Sequence, residues 1–135
     1  MGLTSPQLRT YYGQLTTAEV NAGEIVVPPS PGRVYTVVDV WMRAIGGAAG
    51  SNTSVDVTDT VTGSIAASFE DAALTQNTVV RAGAANTAAT GLNTAFTQGE
   101  GIKVANVGTD MDTATHLDVC IHYTVGSAHA ESTGW

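Results

Sequence analysis

From Thr115 to Gly126 the chain alternates without a break: Leu117, Val119, Ile121, Tyr123 and Val125 are separated by His116, Asp118, Cys120, His122 and Thr124. A period of two puts the apolar set on one face of an extended strand and the polar set on the other. A helix cannot separate them, so the stretch is a half-buried β-strand whose partner layer must supply a second apolar face. Elsewhere apolar residues do not recur at three-four spacing for more than a turn, and Gly, Thr and Val interrupt every stretch. Helical signals are nearly absent.

A second long strand is predicted over Val34 to Ile45. It follows Pro28-Pro29-Ser30-Pro31-Gly32, a run that neither a helix nor a strand interior tolerates. Val55 to Thr60 and Gly63 to Phe69 read as a hairpin, and Ile102 to Val107 precedes the turn Gly108-Thr109-Asp110-Met111-Asp112. Weaker strand candidates are Gln14 to Ala22, Glu24 to Val27, Leu74 to Arg81 and Gly91 to Phe96. Short strands at this spacing predict an all-β, single-domain antiparallel β-sandwich of the jelly-roll kind. The expected organisation is an N-terminal arm over residues 1–13, the sandwich over 14–126 and a C-terminal tail over 127–135. Ala82 to Thr94, rich in small residues, reads as a flexible surface loop.

Composition narrows the function classes. With 43% apolar residues the chain is too hydrophobic for disorder, and no apolar run approaches the length of a membrane span. Twelve acidic residues against five basic ones give a net charge of −7, and Arg9, Arg33, Arg43, Arg81 and Lys103 are scattered, so a phosphate backbone would be repelled. Neither nucleic acid nor membrane is an expected partner. A single cysteine, Cys120, cannot staple the fold, and the first residues lack the basic-then-apolar pattern of a secretory signal. Synthesis in a cytoplasm is the simplest expectation.

Candidate chemistry is sparse. No P-loop, HExxH, GxSxG, CxxC or complete GxGxxG pattern occurs, and Gly46-Gly47-Ala48-Ala49-Gly50 lacks the following helix that would bind an anion. His116-x-Asp118 has the spacing of two ligands in a 2-His-1-carboxylate metal site, but His122 lies about 20 Å along the same strand and cannot complete it. Asp110 and Asp112 offer oxygens on a loop with only part of a calcium-loop pattern. Cys120 has no adjacent Lys or Arg, sits mid-strand and reads as a small half-buried side chain. Asp39, Asp56 and Asp118 fall on different strands. The expectation is therefore no catalytic residue, no metal and no cofactor.

The strand from Val34 to Ile45 is unusual on both faces. Val34, Val38, Val40, Met42 and Ala44 suit a core, while Tyr35, Val37, Asp39, Trp41, Arg43 and Ile45 form a second face too apolar for open water. Either a loop of the same domain or a neighbouring subunit covers it, with Tyr35 and Trp41 as contact residues. At the ends, Leu3, Leu8, Tyr11, Tyr12 and Trp135 either fray or dock on a neighbour. These seven residues are the candidate binding set.

The order Glu24-Ile25-Val26-Val27-Pro28-Pro29-Ser30-Pro31-Gly32-Arg33-Val34-Tyr35, then Phe96-Thr97-Gln98-Gly99-Glu100-Gly101-Ile102-Lys103-Val104, then the final strand from Leu117 to Val125, resembles small β-sandwich virion proteins of tailed bacteriophages. Among these, size, acidity and the lack of a reactive constellation fit the capsid decoration, or cement, proteins. The resemblance implies a non-enzymatic structural protein of the virion, on the outer surface of the head. It also implies a homo-oligomer, commonly a trimer, that binds the major capsid protein and stabilises the shell. The alternative is a carbohydrate- or receptor-binding jelly-roll module of a phage tail, with aromatic side chains stacked on sugar rings.

Overall fold

The computed structural model describes residues 7–127. Nine strands and one short helix occur among them: β1 (Gln7–Thr16), α1 (Thr17–Ala22), β2 (Glu24–Val27), β3 (Arg33–Ile45), β4 (Ser54–Asp59), β5 (Ile65–Glu70), β6 (Val80–Arg81), β7 (Thr87–Ala88), β8 (Ile102–Val107) and β9 (His116–Ser127). One sheet has the order β1-β9-β3-β6 and the other β2-β8-β4-β5-β7, every pairing antiparallel. Leaving aside the two-residue β7, this is the neighbour order of a jelly roll, in which the chain crosses repeatedly between the layers. The all-β sandwich read from the sequence is the observed fold.

Both long strands form where alternation and turn residues placed them. Arg33 opens β3 directly after Gly32, whose φ of 77° is the left-handed conformation a glycine reaches most cheaply, and the Arg33 amide closes the turn on the Ser30 carbonyl at 3.1 Å. β9 then lies between β1 and β3 over almost its whole length. Its Leu117, Val119 and Ile121 are fully buried in one core cluster with Val55, Val57, Phe69, Ile102 and Val104 of the opposite sheet. Each such side chain contributes about 1.5–3 kcal/mol by leaving water. Glycine admits one close approach inside the layer: a Cβ on Gly101 would collide with the Val27 carbonyl oxygen.

Three local features depart from the sequence reading. Gln7 to Gly13 are not a free arm, because β1 pairs residue for residue with β9 from Gln7↔Val125 to Thr16↔His116. The strand predicted over Gln14 to Ala22 stops at Thr16, where a capping box starts a helix. The Thr16 hydroxyl accepts from the Glu19 amide at 3.2 Å, and the Glu19 carboxylate accepts from the Thr16 amide at 2.8 Å. α1 buries Val20 completely. Lastly, Leu74 to Arg81 contributes β6 and an isolated bridge between Gln76 and Ala44, and Gly91 to Phe96 only an isolated bridge between Ala95 and Thr36.

β3 contains the feature that matters most for the surface. Its register against β9 shifts between Val37 and Asp39, leaving Val38 as an extra residue. Before the bulge the core side chains are Tyr35 and Val37, and after it Val40, Met42 and Ala44. The side chains that face inward therefore change parity at Val38.

Candidate functional site

The outward face of the four-stranded sheet is built in rows across β1, β9, β3 and β6. One row runs Tyr12, Cys120, Trp41, Arg81. Across Cys120 the Tyr12 and Trp41 rings approach with centroids 5.8 Å apart and planes tilted by 45°. That geometry lies within the range where aromatic pairs attract beyond simple burial. Tyr12 remains 56% exposed, and Leu8, on the same face of β1, is 67% exposed. Large apolar side chains held this open on a rigid sheet are what a contact surface supplies.

Ion pairs neutralise the acids of this face. Asp39 accepts from Arg81 Nε at 2.8 Å and Nη2 at 2.5 Å, and its other oxygen accepts from the Val40 amide at 3.0 Å. One row further, Asp118 lies between Gln14 and Arg43 and is wholly buried. Its Oδ2 accepts from Arg43 Nε at 3.1 Å and Nη2 at 2.6 Å, while Oδ1 has no partner. On a chain with a net charge of −7, this face is charge-balanced. Long-range repulsion is weakest where acids are paired one to one.

His122 and Cys120 share the same strand face. The Thr10 hydroxyl and His122 Nδ1 are 2.9 Å apart, and Cys120 Sγ lies 3.7 Å from His122 Nε2. Burial, with the Asp39 charge behind it, raises the thiol pKa and outweighs the opposing contact from Trp41. Cys120 is thus a protonated, buried thiol, not an activated nucleophile.

Of the seven candidate contact residues, Leu8, Tyr12 and Trp41 are brought together on this face. Tyr11 points the other way, half-buried against the core. Tyr35 is a correction: the bulge at Val38 turns it inward, where it is 7% exposed and packs edge-on against Tyr123 at 5.8 Å. Tyr35 and Trp41 do not share a face. Leu3 and Trp135 lie outside the described residues.

The other candidates resolve into structural roles. Asp118 of the His116-x-Asp118 pair is occupied by Arg43, and among the described residues no three His, Cys, Asp or Glu side chains come together to hold a metal ion. Asp112 accepts from the amide and hydroxyl of Ser51, both at 3.3 Å, and a Cβ on Gly50 would strike its carboxylate. The glycine-rich loop from Gly46 to Gly50 therefore seats a carboxylate of the same chain. Asp56 is on the opposite sheet, accepting from the hydroxyls of Ser54 and Ser68 at 2.9 and 2.6 Å, so it does not converge with Asp39 or Asp118. A small cavity of about 110 Å³ beside Ile65 and Phe96 is lined otherwise by Ser64, Gly91, Thr94, Ala95 and Thr97.

One polar cluster was not anticipated. The turn between β4 and β5 is held by two buried carboxylates: Asp59 accepts from the amides of Val61 (3.1 Å) and Gly63 (2.7 Å) and from the Thr62 hydroxyl. Glu100 accepts from the amides of Val61 (3.1 Å) and Thr62 (3.2 Å). The Asp59-x-x-x-Gly63 turn signal was present in the sequence, but the reach of Glu100 across 39 residues carries no local signature. No family model and no curated protein matches the chain.

Proposed function

We propose that this chain is a non-enzymatic building block of a virion, seated on the outer surface of a tailed-phage head and bound there to the major capsid protein as an oligomer. The observation that carries the reading is the Tyr12–Trp41 pair, an exposed tyrosine against a half-buried tryptophan, on the charge-balanced sheet face that also presents the exposed Leu8. Aromatic anchors on a flat platform, rimmed by hydroxyls and neutralised ions, are suited to docking on another folded protein. The turn-and-strand resemblance to decoration proteins supplies the identity of that protein. A net charge of −7 accords with an outward position, away from packaged DNA.

Co-sedimentation with expanded, DNA-filled heads tests the proposal. The wild-type chain should pellet with heads to a saturating ratio, and Trp41→Ala should weaken binding by at least about tenfold, the loss expected when a central aromatic anchor is truncated. Heads that leave the chain in the supernatant, or bind both proteins equally, would count against it.

A sugar-binding tail module could use the same ring pair as a stacking platform. In that case saccharides would quench or shift the Trp41 emission, and heads would have no effect.

A further inference from the structure

Four strands end the two sheets, and three of them are protected. β6 and β7 offer two residues each. β2 offers four, with a register shift between Ile25 and Val27, before the chain enters Pro28 and Pro29. Brevity, bulges and proline are the means by which proteins keep an edge from recruiting another strand. β1 has none of them, and only at its last residue is an amide already taken, that of Thr16 by the Glu19 carboxylate at 2.8 Å. It is ten residues long, its register against β9 is unbroken, it contains no proline, and its one charge is Arg9. Among the described residues no strand lies beyond it. In an antiparallel ladder alternate residues direct both amide and carbonyl to the same side, so every second residue of β1 directs its pair away from β9.

We propose that this edge pairs with β1 of a second copy of the chain, antiparallel about a two-fold axis, joining two four-stranded sheets into one. An isologous contact needs a self-complementary edge, and each copy carries a matching one at equal concentration. Residues with outward amides must meet residues of the same parity, and this also sets outward side chain beside outward side chain. Centred on Tyr12, the pairing puts Leu8 opposite Thr16, Thr10 opposite Gln14, Tyr11 opposite Gly13 and Arg9 opposite Leu15.

No like charges are opposed in that register. Tyr11 already lies over Gly13, whose missing side chain leaves the room. The two Tyr12 rings meet on the axis, each backed by its Trp41. Charge selects the same place. Two copies at −7 each repel, yet β1 contains no acid; of the acids near it, Asp39 and Asp118 are neutralised by Arg81 and Arg43, and Glu19 is engaged with the Thr16 amide at the end of the strand.

Register-specific crosslinking in the full chain, in a Cys120→Ser background, tests the proposal. Directly paired residues bring their Cα atoms to about 4.5–5.5 Å, within disulfide reach. Tyr12→Cys should therefore crosslink to itself under mild oxidation. Two Leu8 positions would be about 26 Å apart at about 3.3 Å per residue, so Leu8→Cys alone should stay uncrosslinked while its mixture with Thr16→Cys crosslinks. Light scattering should show a concentration-dependent dimer of the unmodified chain. Thr10→Lys with Gln14→Lys, which opposes like charges twice, should weaken it by about tenfold or more, with circular dichroism unchanged.

A monomer at every concentration, a trimer, or Leu8→Cys crosslinking as readily as Tyr12→Cys would overturn the pairing. The pairing is independent of the capsid reading. A dimer that ignores heads leaves it intact and ends the other, and a monomer that binds heads ends the pairing while leaving the docking on heads in place.

Discussion

Asp59 shows how a single side chain ties local chemistry to stability. Burial pushes its pKa upward, but the Thr62 hydroxyl and the amides of Gly63, Val61 and Thr62 outweigh that push and hold it below the usual carboxylate value. The unfolded chain therefore takes up a proton at higher pH than the folded one. Stability from this group is complete above the unfolded pKa and is lost as pH falls through the folded pKa. Asp59→Asn should cost about 1–2 kcal/mol at neutral pH, and urea titrations should show the gap to wild type shrinking on acidification below about pH 4. Arg43 poses a different problem, since it neutralises the fully buried Asp118 while its own side chain is 38% exposed. Arg43→Ala strands that charge and should cost roughly 2 kcal/mol, below the usual range for a fully buried pair because solvent reaches one partner. The double variant Arg43→Met, Asp118→Leu should be more stable than Arg43→Ala alone, measured by the same titrations. Equal stabilities would mean that the pair is not what holds Asp118 in place.

At the scale of the elements, β3 turns on one residue. Because Val38 is extra, Tyr35 and Val37 face the core from one side of the bulge, and Val40, Met42 and Ala44 from the other. Deleting Val38 would make the strand regular and force one half to show its apolar set to water. The deletion variant should lose the sharp, cooperative thermal transition of the wild type. Val38→Ala, which keeps the count, should retain it with a loss of about 1 kcal/mol. The same bulge explains the limits of the sequence reading. β9 was legible because strict alternation meets a strand of uniform pairing, and Glu24 to Val27 and Ile102 to Val107 were legible from their turns. A period-two count run across Val38 assigns Tyr35 to the wrong face, since a bulge depends on the partner strand and leaves no mark in β3 itself. Thr16-x-x-Glu19 was a readable helix start overshadowed by the surrounding β-rich pattern. β1 was misread as an arm because its apolar residues, Leu8, Tyr11, Tyr12 and Leu15, have no period of their own. Its pairing is fixed by β9, more than a hundred residues away. The Tyr12–Trp41 platform was thus half visible: both residues were chosen, but their meeting depends on that long-range register.

For the whole molecule the governing quantity is a net charge of −7, to which β1 contributes no acid and in which Asp39 and Asp118 of the sheet face are paired with arginines. Two copies approaching along β1 feel repulsion from the acids around it, but the directly opposed side chains form no ion pair, because Arg9 meets Leu15 and Tyr12 meets itself. Salt acts differently on these two kinds of interaction. At about 0.1 M the Debye length is about 10 Å, so added salt screens the distant like charges while leaving backbone pairing and ring contact nearly untouched. The dimer should accordingly tighten as sodium chloride is raised from about 0.02 to about 0.5 M, by an estimated three- to tenfold in dissociation constant for a partly screened repulsion of this size. Sedimentation velocity at fixed protein concentration reads it directly. An association held by ion pairs across the contact would weaken over the same range, so a dissociation constant that rises with salt would place the contact on another surface of the sandwich.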